Sequence, residues 1–278
     1  MISGILHRLS AFTSTPTGGN PAGVWIGDEL PDPDTMQRIA TEVGFSETAF
    51  VAPADGLQRT IRYYSPEVEV SFCGHATIAT GVTLGESNGE GTYDLETAIG
   101  RVPVVVRKQG EHFEASLTSV EPESAPAADE LVDETLSTLG WLQAELDPTI
   151  PPARAYAGAW HLILAIADAN RLHALTYDFV RLKSLMLREH LTTLQLIWRE
   201  SERVFHSRNP FPVGGVVEDP ATGAAAAALG GYLRDARLIE VPTSFSICQG
   251  EAMGRPSQIE VTIPPTGGIV VTGQAVWI

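Results

Sequence analysis

The sequence predicts an α+β protein made of two similar halves, in which short strands outnumber helices. Three observations carry that expectation. Short β-branched runs recur along the whole chain. Two G-x6-G segments filled with small residues stand at residues 74–81 and 223–230. Each is followed by a second matching stretch, Glu96-Thr97-Ala98-Ile99-Gly100-Arg101 and Glu251-Ala252-Met253-Gly254-Arg255, that leads into a Val- or Ile-rich run. Two ordered echoes at similar offsets predict an internal duplication.

The β-branched runs over 23–26, 48–51, 60–64, 102–106 and 259–263 are expected to be strands. Asp32-Pro33-Asp34 opens a helix that runs to Val43 and stops at Gly44, with acidic residues at its positive end. Helical spacing also marks 129–145 and 171–190. Segment 120–129, VEPESAPAAD, is rich in Pro, Ala and acid and is expected to link domains spanning 1–120 and 130–278, with the last strand able to pack on the first half. The small-residue segments are helix formers, since Ala has the highest helix propensity. They lack an apolar stripe. Either strands wrap them on all sides or they pack closely on one sheet, and composition does not choose.

The 278 residues are 44% hydrophobic, enough for a sizeable core. With 34 acidic against 18 basic residues the formal charge is -16, which argues against nucleic-acid and anionic-membrane partners. An anionic small substrate stays compatible, because a pocket carries its own local field. Two cysteines, Cys73 and Cys248, are too few for a disulfide framework, and no Cys/His cluster or nucleotide loop is written in the sequence, so neither metal nor cofactor is expected. The opening Met1-Ile2-Ser3-Gly4 lacks the marks of a secretory leader and no apolar run reaches membrane-span length, so a soluble cytoplasmic protein is expected.

Four motifs invite chemistry. Gly18-Gly19-Asn20-Pro21-Ala22-Gly23 is a sharp turn whose backbone could approach a ligand, or simply a turn into a strand. In Gly44-Phe45-Ser46-Glu47-Thr48, Glu47 shares a strand face with Phe45 and Ala49, as an edge residue reaching solvent or as a desolvated acid able to shuttle a proton. In Phe72-Cys73-Gly74-His75-Ala76-Thr77, Gly74 and His75 stand at a helix start, where N–H groups favour an anion. In Glu218-Asp219-Pro220-Ala221-Thr222-Gly223-Ala224, Asp219 either caps the second small-residue helix or faces a ligand. If the two helix starts face one cleft, Glu47, His75 and Asp219 line it.

Together with Q-G-x-x-M-G-R-P-S at 249–257, these motifs resemble the phenazine-biosynthesis PhzF-like family from about residue 5 to the end of the chain, in the family's order. The resemblance implies a diaminopimelate-epimerase-like fold: two pseudo-symmetric domains, each a curved sheet or barrel around a central helix, with the site between them. It implies a cofactor-independent isomerase without metal that moves a proton on a small carboxylate-bearing substrate, as the namesake does with trans-2,3-dihydro-3-hydroxyanthranilate. Homodimers are common in the family. Glu47 matches the family's general acid/base, and His75 and Asp219 its site histidine and aspartate. Asn20, Ser46, Gly74, Thr222, Gly223 and Ala224 are the expected substrate-binding residues. Ala224 departs from the namesake's Ser, which removes a hydroxyl and unsettles the substrate. Two other readings stay in view. A two-thiol racemase or epimerase would use Cys73, yet the mirrored segment around Gly223 has no Cys, and a buried inert thiol suits Cys73 better. A binding protein that has lost turnover would explain Ala224, but not the joint presence of Glu47, His75 and Asp219.

Overall fold

A computed structural model describes residues 3–278; Met1 and Ile2, part of the opening read for a leader, lie outside the described residues. In chain order the elements are β1 (Gly4–Ala11), β2 (Asn20–Gly27), α1 (Pro33–Val43), β3 (Glu47–Pro53), β4 (Gln58–Tyr64), β5 (Glu69–Val70) and α2 (Gly74–Asn88). There follow β6 (Gly91–Thr97), β7 (Gly100–Gln109), β8 (His112–Thr118), β9 (Glu123–Pro126), α3 (Asp129–Leu139), β10 (Ala153–Tyr156) and β11 (Trp160–Ala165). The chain closes with α4 (Ala169–His173), α5 (Phe179–Arg188), β12 (Thr193–Arg199), β13 (Val204–Arg208), α6 (Gly223–Asp235), β14 (Thr243–Gln249), β15 (Ser257–Ile263) and β16 (Val270–Trp277). None of the helices among the described residues is long and apolar enough to cross a membrane.

The chain divides into two compact units, one reaching to Thr118 and taking back Thr272–Ile278, the other Ser119–Val271. In the first, the strand order is β1-β2-β3-β4-β6-β7-β8-β16, and β16 returns to pair with β1 through Leu9↔Trp277, Ser10↔Val276 and Ala11↔Ala275. Eight strands therefore close into a barrel. Such a barrel normally has room only for side chains, yet this one holds α2, of which His75 to Gly85 is buried without a break. Small residues make that possible. A Cβ on Gly81 would stand 2.7 Å from the Ala115 methyl and 2.9 Å from Val104. Of the two arrangements open to the small-residue helix, the wrapped one is observed.

The second unit repeats the plan. In the first, β2–β3 and β4–β6 are parallel pairs, crossed over by α1 and α2. In the second, β11–β12 and β13–β14 are parallel, crossed over by α4 with α5 and by α6. The intervening pairs are antiparallel in both. Parallel neighbours require such crossovers, so the shared order is the structural counterpart of the sequence echo. The echo at 96–101 is the hairpin between β6 and β7, and that at 251–255 the turn between β14 and β15. Ala225 to Leu233 of α6 is buried. On the other face of the sheet, Leu162, Leu164, Leu194 and Leu196 pack with Leu136, Leu182, Leu185 and Met186 of α3 and α5.

The strands expected over 23–26, 48–51, 60–64, 102–106 and 259–263 all form. Helix α1 has the expected ends: the Asp32 carboxylate accepts from Thr35 N–H at 3.0 Å, and Gly44 closes it at φ +70°. Three expectations differ. Segment 120–129 carries β9, paired antiparallel with β10; it ends the strand order, a place where Pro is tolerated. Region 171–190 is two helices, because Ala174 ends α4 and Asp178 starts α5 by accepting from Arg181 N–H. Region 129–145 stops being α-helical at Gly140, which sits at φ +63°.

Candidate active site

Within the first unit, four elements bring the expected residues together. Asn20 begins β2, after a turn that requires Gly19: this residue has φ +71°, and a Cβ there would lie 2.4 Å from the Ala11 carbonyl oxygen. Ser46 and Glu47 enter β3 directly from the Gly44 turn of α1, and Ala22 of β2 is the register partner of Glu47. Cys73 is the N-cap of α2, and Gly74 and His75 form its first turn.

His75 is the hub. Its Nδ1 lies 3.3 Å from Asn20 Nδ2, and its Nε2 lies 3.3 Å from Ser46 Oγ and 3.3 Å from Glu47 Oε2. An amide nitrogen can only donate, so Asn20 assigns Nδ1 as acceptor. The ring proton then sits on Nε2 and is donated towards Glu47 and Ser46. The His75 side chain is 10% exposed and that of Glu47 22%, so the acid keeps an open side while its rear is held. The helix start is anchored from below. Thr77 Oγ1 donates to the Cys73 carbonyl at 2.7 Å, which leaves Tyr63 to donate to Thr77 at 2.7 Å. Burial pushes the Tyr63 phenol above its ordinary range, so it remains a donor.

Cys73, expected as a buried inert thiol, is buried beside the imidazole. Its sulfur lies 3.4 Å from His75 Nδ1 and 3.7 Å from Nε2. Single atoms of Glu47, Cys73 and His75 lie within 4.8 Å of one another, a donor set that chemistry allows for a cation. Near-equal distances to both ring nitrogens place the sulfur against the ring, away from the in-plane lone pair that would bind a metal. The geometry fits a packed thiol better than a ligand. The only other thiol, Cys248, lies on β14 between the inward-facing Ile247 and Gln249 and is pushed up in pKa by burial and by Glu251, Glu200 and Glu260.

Within the second unit, Asp219, Thr222, Gly223 and Ala224 stand together at the start of α6. Thr222 is the N-cap, and its Oγ1 donates to Asp219 Oδ2 at 2.6 Å instead of capping the helix. Behind the turn, Gln249 reaches both Asp219 and Thr222. The preceding Glu218 is buried and paired with Arg208, whose guanidinium also donates to the carbonyls of Leu172 and His173. Sequence reading missed Gln249 and Arg208. Gln249 was visible only as the first letter of a motif, and Arg208 carried no signal.

The family model for phenazine biosynthesis-like proteins, PhzC-PhzF, matches residues 9–278. Trans-2,3-dihydro-3-hydroxyanthranilate isomerase of Pseudomonas fluorescens is 33% identical, over 90% of this chain and 86% of that protein. An uncharacterized isomerase of Deinococcus radiodurans is 32% identical, over 94% of this chain and 87% of its own length. Among solved structures, the Bacillus anthracis phenazine biosynthesis protein of the PhzF family superposes with a TM-score of 0.85 at 25% identity, covering 100% of this chain and 98% of that one.

Proposed function

The chain belongs to the PhzC-PhzF family of phenazine biosynthesis-like proteins, and from that premise we propose that it is an acid/base isomerase acting on a small carboxylate-bearing ring compound. That it is an isomerase follows its relatives; the substrate class and the residue roles are our reading. Glu47 takes a proton from one carbon of the substrate, the electron pair shifts along the conjugated system, and the proton is returned at another carbon. Atoms and electrons balance without a redox partner. His75, donating from Nε2, holds Glu47 in place and steadies the charge that moves. Asn20 and Ser46 orient the ring of His75. Asp219 and the N–H groups of Gly223 and Ala224 take the substrate's polar groups, as helix starts do with anions.

The observation that carries this reading is the Glu47–His75 contact of 3.3 Å with the imidazole tautomer set by Asn20. General acid/base work needs a positioned, partly desolvated carboxylate with a defined donor beside it. Ala224 supports a substrate or binding pose that differs from the namesake's, since the position offers only its backbone. The two-thiol reading loses ground: α6 starts with Thr222, Gly223 and Ala224, and Cys248 lies on the strand face away from Gln249. The test is incubation in deuterated buffer with trans-2,3-dihydro-3-hydroxyanthranilate and related hydroxylated cyclohexadiene carboxylates, read by mass spectrometry. Deuterium entering a carbon position supports the reading; no entry into any of them ends it. A homodimer in solution, checked by light scattering, belongs to the same proposal.

A further inference from the structure

We propose that Gln249 and Gly250 are positioning residues for the Asp219–Thr222 turn: the Gln249 amide directs the Thr222 proton onto Asp219, and Gly250 lets the turn lie against the loop after β14. This rests on the reading that Asp219 holds substrate, but its geometry stands by itself inside the second unit. The pair opens the Q-G-x-x-M-G-R-P-S motif, to which the proposed chemistry gives no task.

The amide is 1% exposed and has a single workable orientation. Its Nε2 lies 2.7 Å from the Asp219 carbonyl oxygen, which can only accept. Its Oε1 lies 3.3 Å from Thr222 N–H, which can only donate, and also accepts from Ser207 Oγ at 3.2 Å. The second Nε2 proton goes to Thr222 Oγ1 at 2.9 Å. With its lone pair engaged, the Thr222 hydroxyl turns its own proton to Asp219 Oδ2 at 2.6 Å. The result is a directed chain, Gln249 to Thr222 to Asp219, that fixes one carboxylate oxygen. Backbone supports the same turn from the other side, since Asp219 N–H donates to the Asn209 carbonyl at 3.0 Å.

Gly250 explains the second letter. It has φ +77°, and a Cβ there would lie 2.7 Å from the Pro220 carbonyl oxygen and 2.3 Å from that of Arg255. Backbone therefore meets backbone beneath Pro220. The rest of the motif brings the chain back: Met253 N–H and Arg255 N–H both return to the Gly250 carbonyl at 3.0 Å. Gly254 makes the reversal at φ +68°, and Ser257 begins β15. The motif is a platform under the turn.

Two variants test this. Gln249→Leu keeps the volume and removes every side-chain hydrogen bond; Gln249→Glu keeps the shape and can donate only when protonated. Hydrogen–deuterium exchange of the folded protein, resolved by peptide, should show residues 218–224 exchanging about tenfold faster in Gln249→Leu, with β11 and β12 unchanged. Gln249→Glu should exchange like the Leu variant at about pH 8 and move back towards wild type at about pH 5, as a carboxyl regains its proton. Turnover of trans-2,3-dihydro-3-hydroxyanthranilate by the Glu variant, relative to wild type at each pH, should recover in step. Wild-type exchange over 218–224 in Gln249→Leu overturns the proposal. If the Leu variant does not fold, the Glu variant decides alone, and a pH response equal to wild type overturns it. Looser exchange as expected, with a wild-type enzyme that never turns over or deuterates the compound, supports the positioning and defeats the functional reading instead.

Discussion

His75 Nε2 lies 3.3 Å from Oε2 of Glu47, on residues 28 positions apart that reach each other because β3 and the start of α2 meet at one end of a closed barrel. Helix α2 must be thin to fit that barrel, and its first turn carries His75 beside the first residue of β3. Packing and chemistry are linked here: the residues that let the helix fit also place the imidazole. The hydrogen bond from Asn20 then makes Nε2 the donor, so the pair is polarised towards the acid.

Glu47→Gln should leave the fold intact and remove turnover. The amide keeps the shape but carries no exchangeable acid proton. General acid/base groups contribute about 10²–10⁴-fold, so a loss of at least about 10²-fold in rate is expected. The melting temperature should stay within a few degrees of wild type. A variant that keeps more than about a tenth of the rate would remove Glu47 from the role.

Cys73→Ala should retain substantial activity, and activity should survive exhaustive chelation. The thiol packs on the imidazole, and the equivalent start of α6 is Thr222, Gly223 and Ala224 with no cysteine among them. A thiol-based racemase would lose nearly all turnover on this change, and a metal-dependent enzyme would be restored only by adding back the metal. Rate measurements on both preparations separate these cases.

Acid should weaken the second unit through His161. The ring is fully buried on β11, with Nδ1 2.8 Å from Thr193 Oγ1, and burial holds its pKa down at about 3 from the ordinary 6.5. The folded protein therefore stays neutral at this residue while the unfolded chain takes up a proton. The stabilisation is complete above the unfolded pKa and is lost as pH falls through the window from 6.5 to about 3. The expected slope is on the order of 1 kcal/mol per pH unit. Urea unfolding of wild type and His161→Gln at about pH 7.5 and about pH 4.5 should show the smaller pH loss in the variant; equal losses would disprove the assignment.

Much of this was legible in the sequence, and the rest follows from distance along the chain. Helix α1 announced itself by Asp32, Pro33 and Gly44 because caps are local. The two central helices were visible because a wrapped helix must be built of small residues. Asn20, Glu47 and His75 could be named, and Glu47 and His75 expected in one cleft, but the hydrogen bond that sets the imidazole could not be read: the Asn20–His75 contact spans 55 positions and needs the barrel to close. Gln249 acts on a residue 30 positions earlier, through a parallel strand crossover that composition does not encode. β9 was masked by Pro122 and Pro126, which read as linker unless the strand is known to end the sheet order. The break between α4 and α5 was hidden because Ala174 and Leu175 continue the helical pattern, while the Asp178 cap shows only in the structure.

The second glycines of the two small-residue helices should respond differently to alanine. At Gly81 the added Cβ meets strand side chains at 2.7 and 2.9 Å, Ala115 and Val104, neither of which has a flexible end to move. Overpacking of this kind costs about 1–3 kcal/mol, against roughly 1 kcal/mol gained in helix propensity. At Gly230 the nearest atoms, on Ile269 and Val261, stand at 3.1 Å and can give by a few tenths of an ångström. Gly81→Ala should lower stability by about 0–2 kcal/mol net, and Gly230→Ala should be close to neutral or slightly stabilising. Denaturant unfolding that reverses this order would mean the first barrel is looser than its geometry shows.

His75, in the first turn of α2, and Asp219, in the turn that precedes α6, serve one substrate by our proposal. His75→Ala and Asp219→Asn should each reduce turnover by about tenfold or more while moving the melting temperature little. His75→Ala removes the donor beside Glu47, so the fall should be mainly in kcat. Asp219→Asn keeps the shape of the turn and can still accept from Thr222, so any loss reports the charge it offers the substrate and not the structure of the turn. The double variant carries the decisive information. Residues acting independently on one transition state combine by multiplying their losses, whereas residues that act as a unit on it fall short of that product. A shortfall is expected if substrate bound through Asp219 is what His75 and Glu47 act upon. If each single variant loses activity only in proportion to its lost stability, Asp219 is a structural element of its turn and His75 a core residue, and the shared-substrate proposal fails.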